Sequence, residues 1–62
     1  MNERKFEYCG YLVEISEDPI YHDFQFVVKT LDEHTVVGTN THFLSSYEAA
    51  EIEARMLIND LK

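Results

Sequence analysis

The side chains of this 62-residue chain that could do chemistry are few: one cysteine, Cys9, and three histidines, His22, His34 and His42. Together they supply the ligand types of a zinc site, and Cys9 with a histidine supplies a thiolate nucleophile and its base. The spacing supports neither. Metal sites commonly use pairs such as C-x-x-C or H-x-x-x-H, which put two ligands on one turn or one helix face, and no such pair is present. No catalytic signature surrounds Cys9. With Gly10 and Gly38 the only glycines, no glycine-rich phosphate loop can form, and the carboxylates follow no catalytic motif. The expectation is a non-enzymatic protein with no metal and no cofactor, its histidines lying in loops and at strand ends.

Charge is more informative. Twelve acids against five bases give a net charge of −7. The cations Arg4, Lys5, Lys29, Arg55 and Lys62 are scattered and form no basic stripe, so direct binding to a nucleic acid is not expected. The acids, by contrast, can face a basic surface on a partner protein. Glu14, Glu17, Asp18, Asp32, Glu33 and Glu48 are the candidate contacts, in the manner of an acidic surface that imitates nucleic acid and occupies a basic groove. The same charge also keeps a small domain soluble.

The element that positions the last of these acids is a helix over residues 44–62. Ser45 and Glu48 have the spacing of a capping box, with Ser46 the rival cap; Glu48 and Glu51 suit the positive end of the helix dipole and Lys62 the negative end. At 100° per residue, Tyr47, Ala50, Ala54, Leu57, Ile58 and Leu61 fall in one stripe, the expected core face. Glu51 precedes Arg55 by one turn, an exposed pair worth about 0.3–0.5 kcal/mol. A second apolar set, Ala49, Ile52 and Met56, recurs on the opposite side, where an isolated domain has no use for it. These three are candidate contacts to a partner or to a second copy.

Upstream, residues 4–16 alternate in one phase through Phe6 and Tyr8 and in the other through Tyr11, Val13 and Ile15. The phase changes at Cys9-Gly10. A β-bulge at Gly10 within one long strand is preferred over a tight turn, because Cys-Gly is not a favoured hairpin pair. Pro19 ends the run. Residues 24–30 alternate cleanly, with Phe24, Phe26 and Val28 inward and Gln25 and Lys29 outward, and residues 35–39 form a β-branched third strand. Phe43 can seat the chain as it enters the helix. The expected fold is α+β: a three-stranded antiparallel meander with one C-terminal helix packed on one face, β-β-β-α, in a single domain of residues 1–62. Leu12, Val27 and one of Val36 or Val37 would lie on the uncovered face.

Three strands followed by a helix resembles, over residues 8–62, the last two-thirds of a double-stranded-RNA-binding domain. There the final helix opens with lysines that grip phosphate; here residues 46–51 read Ser-Tyr-Glu-Ala-Ala-Glu, and the first helix is missing, so RNA binding is not implied. The pairs Gly10-Tyr11 and Phe43-x-Ser45-x-x-Glu48-Ala49 also resemble small uncharacterised bacterial and phage proteins of β-β-β-α type. Those motifs are capping and packing devices.

The function expected from these residues is a protein–protein interaction module, in the form of a small acidic, phage-type inhibitor, anti-CRISPR-like, of a nucleic-acid-handling complex. The alternatives are a homodimeric accessory subunit, associating through Ile52 and Met56 or the open sheet face, and a metal- or thiol-dependent enzyme. A lone thiol and the lack of a long apolar run lead to the expectation of a soluble, cytoplasmic protein that uses no membrane.

Overall fold

In a computed structural model describing residues 3–61, an antiparallel sheet of four strands precedes one C-terminal helix, an α+β fold. The strands are β1 (Glu3–Tyr8), β2 (Tyr11–Glu17), β3 (Phe24–Thr30) and β4 (Val36–Thr39), hydrogen-bonded in chain order; the helix α1 spans Tyr47–Asp60. The meander and the covering helix are as the pattern implies. The strand count is not: residues 4–16 form two strands, and the fold is β-β-β-β-α.

The extra strand comes from Cys9-Gly10, which is a two-residue hairpin turn and not a bulge. Cys9 has φ 51° and Gly10 φ 85°, the two positive values that a type I′ turn requires, and Tyr8 pairs with Tyr11 across it. A two-residue turn pairs each even position of β1 with an odd position of β2. Phe6 therefore faces the same side as Val13, and the change of phase is the turn itself. Positive φ at a cysteine is a mild penalty, which the ladder from Glu3↔Ser16 to Tyr8↔Tyr11 outweighs.

The core lies between the sheet and the helix. Val13, Ile15, Phe26 and Val28 from β2 and β3 are buried against Ala50, Ala54 and Ile58 of α1, with Leu44 closing one end. Alanines at two of the three helix positions bring its backbone close to the sheet. Phe24, Tyr47, Leu57 and Val37 pack around this centre, but Leu61 is half exposed and caps the helix instead of extending its core stripe. On β4, Gly38 is where the helix comes nearest: a Cβ there would lie 2.6 Å from a Leu57 methyl.

The helix starts one residue later than the capping box implies. Ser46, in extended conformation, is the N-cap, and its Oγ accepts the Ala49 N–H at 3.1 Å. The cause lies upstream. Leu44 forms an isolated bridge with Phe24, adding to the edge of β3, so the chain is still strand-like there and Ser46 is the residue from which it turns into the helix. Leu44 consequently seats the incoming chain, and Phe43 points out, 77% exposed. Glu48 remains in the first turn; the expected pairing of Lys62 with the other end of the dipole lies outside the described residues.

Candidate functional site

The face of α1 opposite its buried stripe carries Glu48, Ile52, Met56 and Asp60, each one turn from the next. Residues four apart share a helix face, so these form one row: acid, apolar, apolar, acid. Ile52 and Met56 are 49% and 55% exposed. Ala49, expected to join them, is half-buried and packs against the rim of the core.

The two flanks of this row differ. On the β1 side, Arg55 donates to Glu51 Oε1 at 3.1 Å and its guanidinium lies 5.6 Å from the Tyr8 ring centroid and 5.9 Å from that of Phe6. Arg4 sits 4.4 Å over the Tyr47 ring. The Tyr8 hydroxyl donates to Asn59 Oδ1. This flank is closed by cations stacked on aromatic faces. On the β4 side there is an open groove of about 350 Å³, with Thr39 of β4 and Thr41, just beyond that strand, on one wall and Met56, Leu57 and Leu61 on the helix wall; Glu53 and Asp60 also line it.

No family model, curated protein or solved structure matches this chain. Among the described residues no three His, Cys, Asp or Glu side chains come together as a metal-binding group, and no helix is long and apolar enough to cross a membrane. Cys9 is exposed at the hairpin tip; His22 Nδ1 lies 3.3 Å from Glu17 Oε2, and His42 Nε2 lies 3.8 Å from Glu53 Oε1.

The acids expected to share one partner surface are spread over the molecule. Glu14 lies on the uncovered sheet face between Lys29 (3.3 Å) and Lys5 (3.9 Å), so its charge is already answered by neighbours across the register. Leu12, Val27 and Val36 share that face, while Val37, the extra residue of the irregular β3–β4 pairing, packs on the core. Glu17 and Asp18 stand at one end of the sheet and Asp32 and Glu33 at the other, separated by a seven-residue strand, or about 20 Å at the usual rise. Only Glu48 of the expected acids stands in the Ile52–Met56 row. Sequence reasoning missed Asp60, its counterpart at the other end, and the groove beside β4. It also passed over Ile20 and Tyr21, about three-quarters exposed on the β2–β3 loop; their position just after Pro19 was the available signal, since loops run over the surface.

Asp18 and Asp32 have structural work. Asp18 Oδ1 accepts the N–H groups of Ile20 (2.8 Å) and Tyr21 (3.1 Å), shaping the β2–β3 loop in which His22 has φ 59°. Asp32 accepts the Thr30 hydroxyl and the His34 N–H, shaping the β3–β4 turn in which Glu33 has φ 63°. These bonds favour the charged form, so both carboxyls are lowered below their ordinary 3.8: Asp18 chiefly by the Tyr21 N–H and then the Ile20 N–H, Asp32 chiefly by the Thr30 hydroxyl and then the His34 N–H. A folded-state pKa below the unfolded one gives stability that is present above the unfolded value and is lost as pH falls through the folded one. The stability curve is therefore expected to fall below pH about 4, with Asp18→Asn and Asp32→Asn flattening that limb. Carboxyl NMR titration checks it: midpoints at or above 3.8 for both residues contradict the assignment.

Proposed function

We propose that this chain is a protein-binding module whose contact surface is the outer row of α1, applied to a basic surface on another protein. The observation that carries this reading is the row itself: Ile52 and Met56 stand exposed one turn apart, with Glu48 and Asp60 at its ends. An apolar centre within a charged rim is the usual anatomy of a binding patch, and acids at the rim favour a partner of opposite sign. Proteins that handle nucleic acids are the class with extended basic grooves, so inhibition of such a complex by a small acidic chain is the form of the function favoured here. A homodimer through the same row is the second reading; the small core favours it, since domains of this size gain from association, and the −7 charge of each copy opposes it.

Native mass spectrometry, with retention of lysate proteins on the immobilised chain at low and at physiological ionic strength, tests both. Expected are a monomeric mass, retained basic proteins that are released as salt rises, and loss of retention in Ile52→Glu/Met56→Glu. No stable protein partner would overturn the reading. A doubled mass that reverts to single in the same variant would establish the dimer.

A further inference from the structure

The two outer edges of the sheet are treated differently. β1 has charged side chains at Glu3, Arg4, Lys5 and Glu7, four of its six positions, and its helix-side flank is closed by Arg4 and Arg55 on aromatic rings. Charged residues are a common guard against the addition of another strand. β4, the other outer strand, reads Val-Val-Gly-Thr and has no charge at all. It pairs with β3 on one side only, so the main-chain groups of its outer side face away from the sheet. The groove between α1 and β4 opens at the Thr39 end of this edge, and Leu57, which lines it, also packs on Gly38.

We propose that the β4 edge and this groove form a docking site for an extended segment of a partner protein, which adds to the sheet as a fifth strand. This rests on the protein-binding reading above and gives it a mode. The main chain of the segment would pair with β4, while alternate side chains enter the groove. There they meet Met56, Leu57 and Leu61 together with the carboxylates of Glu53 and Asp60. Glu53 and Asp60 are seven residues apart, about 10 Å along the helix, and the apolar residues Met56 and Leu57 lie between them. Positions i and i+4 of an extended strand are about 13 Å apart, within reach of two long basic side chains converging on those acids. The matching segment therefore has a basic, an apolar and a basic residue at alternate positions.

No described cation lines the groove, and His42 Nε2 lies 3.8 Å from Glu53 Oε1 at its margin. A second copy could offer its own β4, but Val-Val-Gly-Thr brings no cation to Glu53 and Asp60. Charge complementarity thus selects a basic segment of another protein.

The test titrates the whole chain, followed by amide NMR, with the capped peptide Lys-Thr-Val-Thr-Lys, its Glu-Thr-Val-Thr-Glu counterpart, and two forms of the lysine peptide N-methylated on alternate amides. Expected are shifts confined to Val36–Thr39 and the last two turns of α1, slowed exchange of β4 amides, and affinity about tenfold weaker for the glutamate peptide. One N-methylated form should lose binding and the other keep it. Glu53→Lys/Asp60→Lys should reverse the preference between the peptides. Absence of binding, equal affinity for both peptides, or shifts centred on Lys5, Glu14 and Lys29 would overturn the docking mode. β4 protection accompanied by a doubled mass without peptide would assign the edge to a second copy and overturn it too. If the peptide fails while salt-sensitive retention by the Ile52–Met56 row persists, the mode is wrong and the function stands; if both fail, both are wrong.

Discussion

Ile58→Ala is expected to destabilise the chain by about 2–5 kcal/mol, while the same replacement six residues earlier, Ile52→Ala, leaves stability within about 0.5 kcal/mol of the parent. Ile58 is fully buried against the sheet, where removal of its outer carbons leaves a cavity beside Val13, Ile15, Phe26 and Val28. Ile52 is half exposed, and alanine's higher helix propensity offsets the small amount of packing that its side chain provides. Scale makes the contrast decisive. A chain of this length has a total stability of about 3–9 kcal/mol, so the Ile58 cavity removes a large fraction of it. At about 4–8 °C per kcal/mol, a midpoint shift of about 8 °C or more is expected for Ile58→Ala. Thermal unfolding by circular dichroism reads both; equal shifts for the two variants would contradict the placement of Ile58 on the buried face of α1 and Ile52 on its outer face. The comparison also bears on function, because it separates an isoleucine the fold needs from one it does not.

Much of this architecture is legible in the sequence, and the parts that are not have identifiable reasons. β3 is readable because Phe24, Phe26 and Val28 alternate with polar residues over a full strand, and α1 because its period persists for four turns. The hairpin is missed because its turn is Cys9-Gly10; Asn-Gly there would have announced a type I′ turn, whereas a change of phase alone fits a bulge equally well. The cap is misplaced by one residue because two serines stand side by side, and the choice between them is made by a bridge from Leu44 to Phe24, twenty positions away. The acids are countable in the sequence without being placeable. That Glu14 is neutralised depends on the register that sets it opposite Lys5 and close to Lys29, and that Asp18 and Asp32 are occupied depends on loops closing around them. Ile52 and Met56 could be read from periodicity. The groove beside them could not, since it depends on where the helix crosses β4.

Ala54→Leu is the second large effect, and it arises from the opposite cause. Ala50 and Ala54 are fully buried, so their methyl groups already touch the sheet and the helix backbone is held at the distance an alanine permits. A leucine at position 54 must either lift α1 or force its neighbours from their rotamers, a cost of about 1–3 kcal/mol in a well-packed core. Lifting the helix would also pull Leu57 away from Gly38 and loosen the packing of Arg55 on Phe6 and Tyr8, so the upper end of that range is expected. Ala49→Leu is the control. Ala49 is half-buried at the rim, where a longer side chain can lean outward, and the destabilisation should stay below about 1 kcal/mol. Denaturant midpoints measure the pair. Similar destabilisation at both positions would show that the alanines do not set the height of the helix, and with it the width of the groove between α1 and β4.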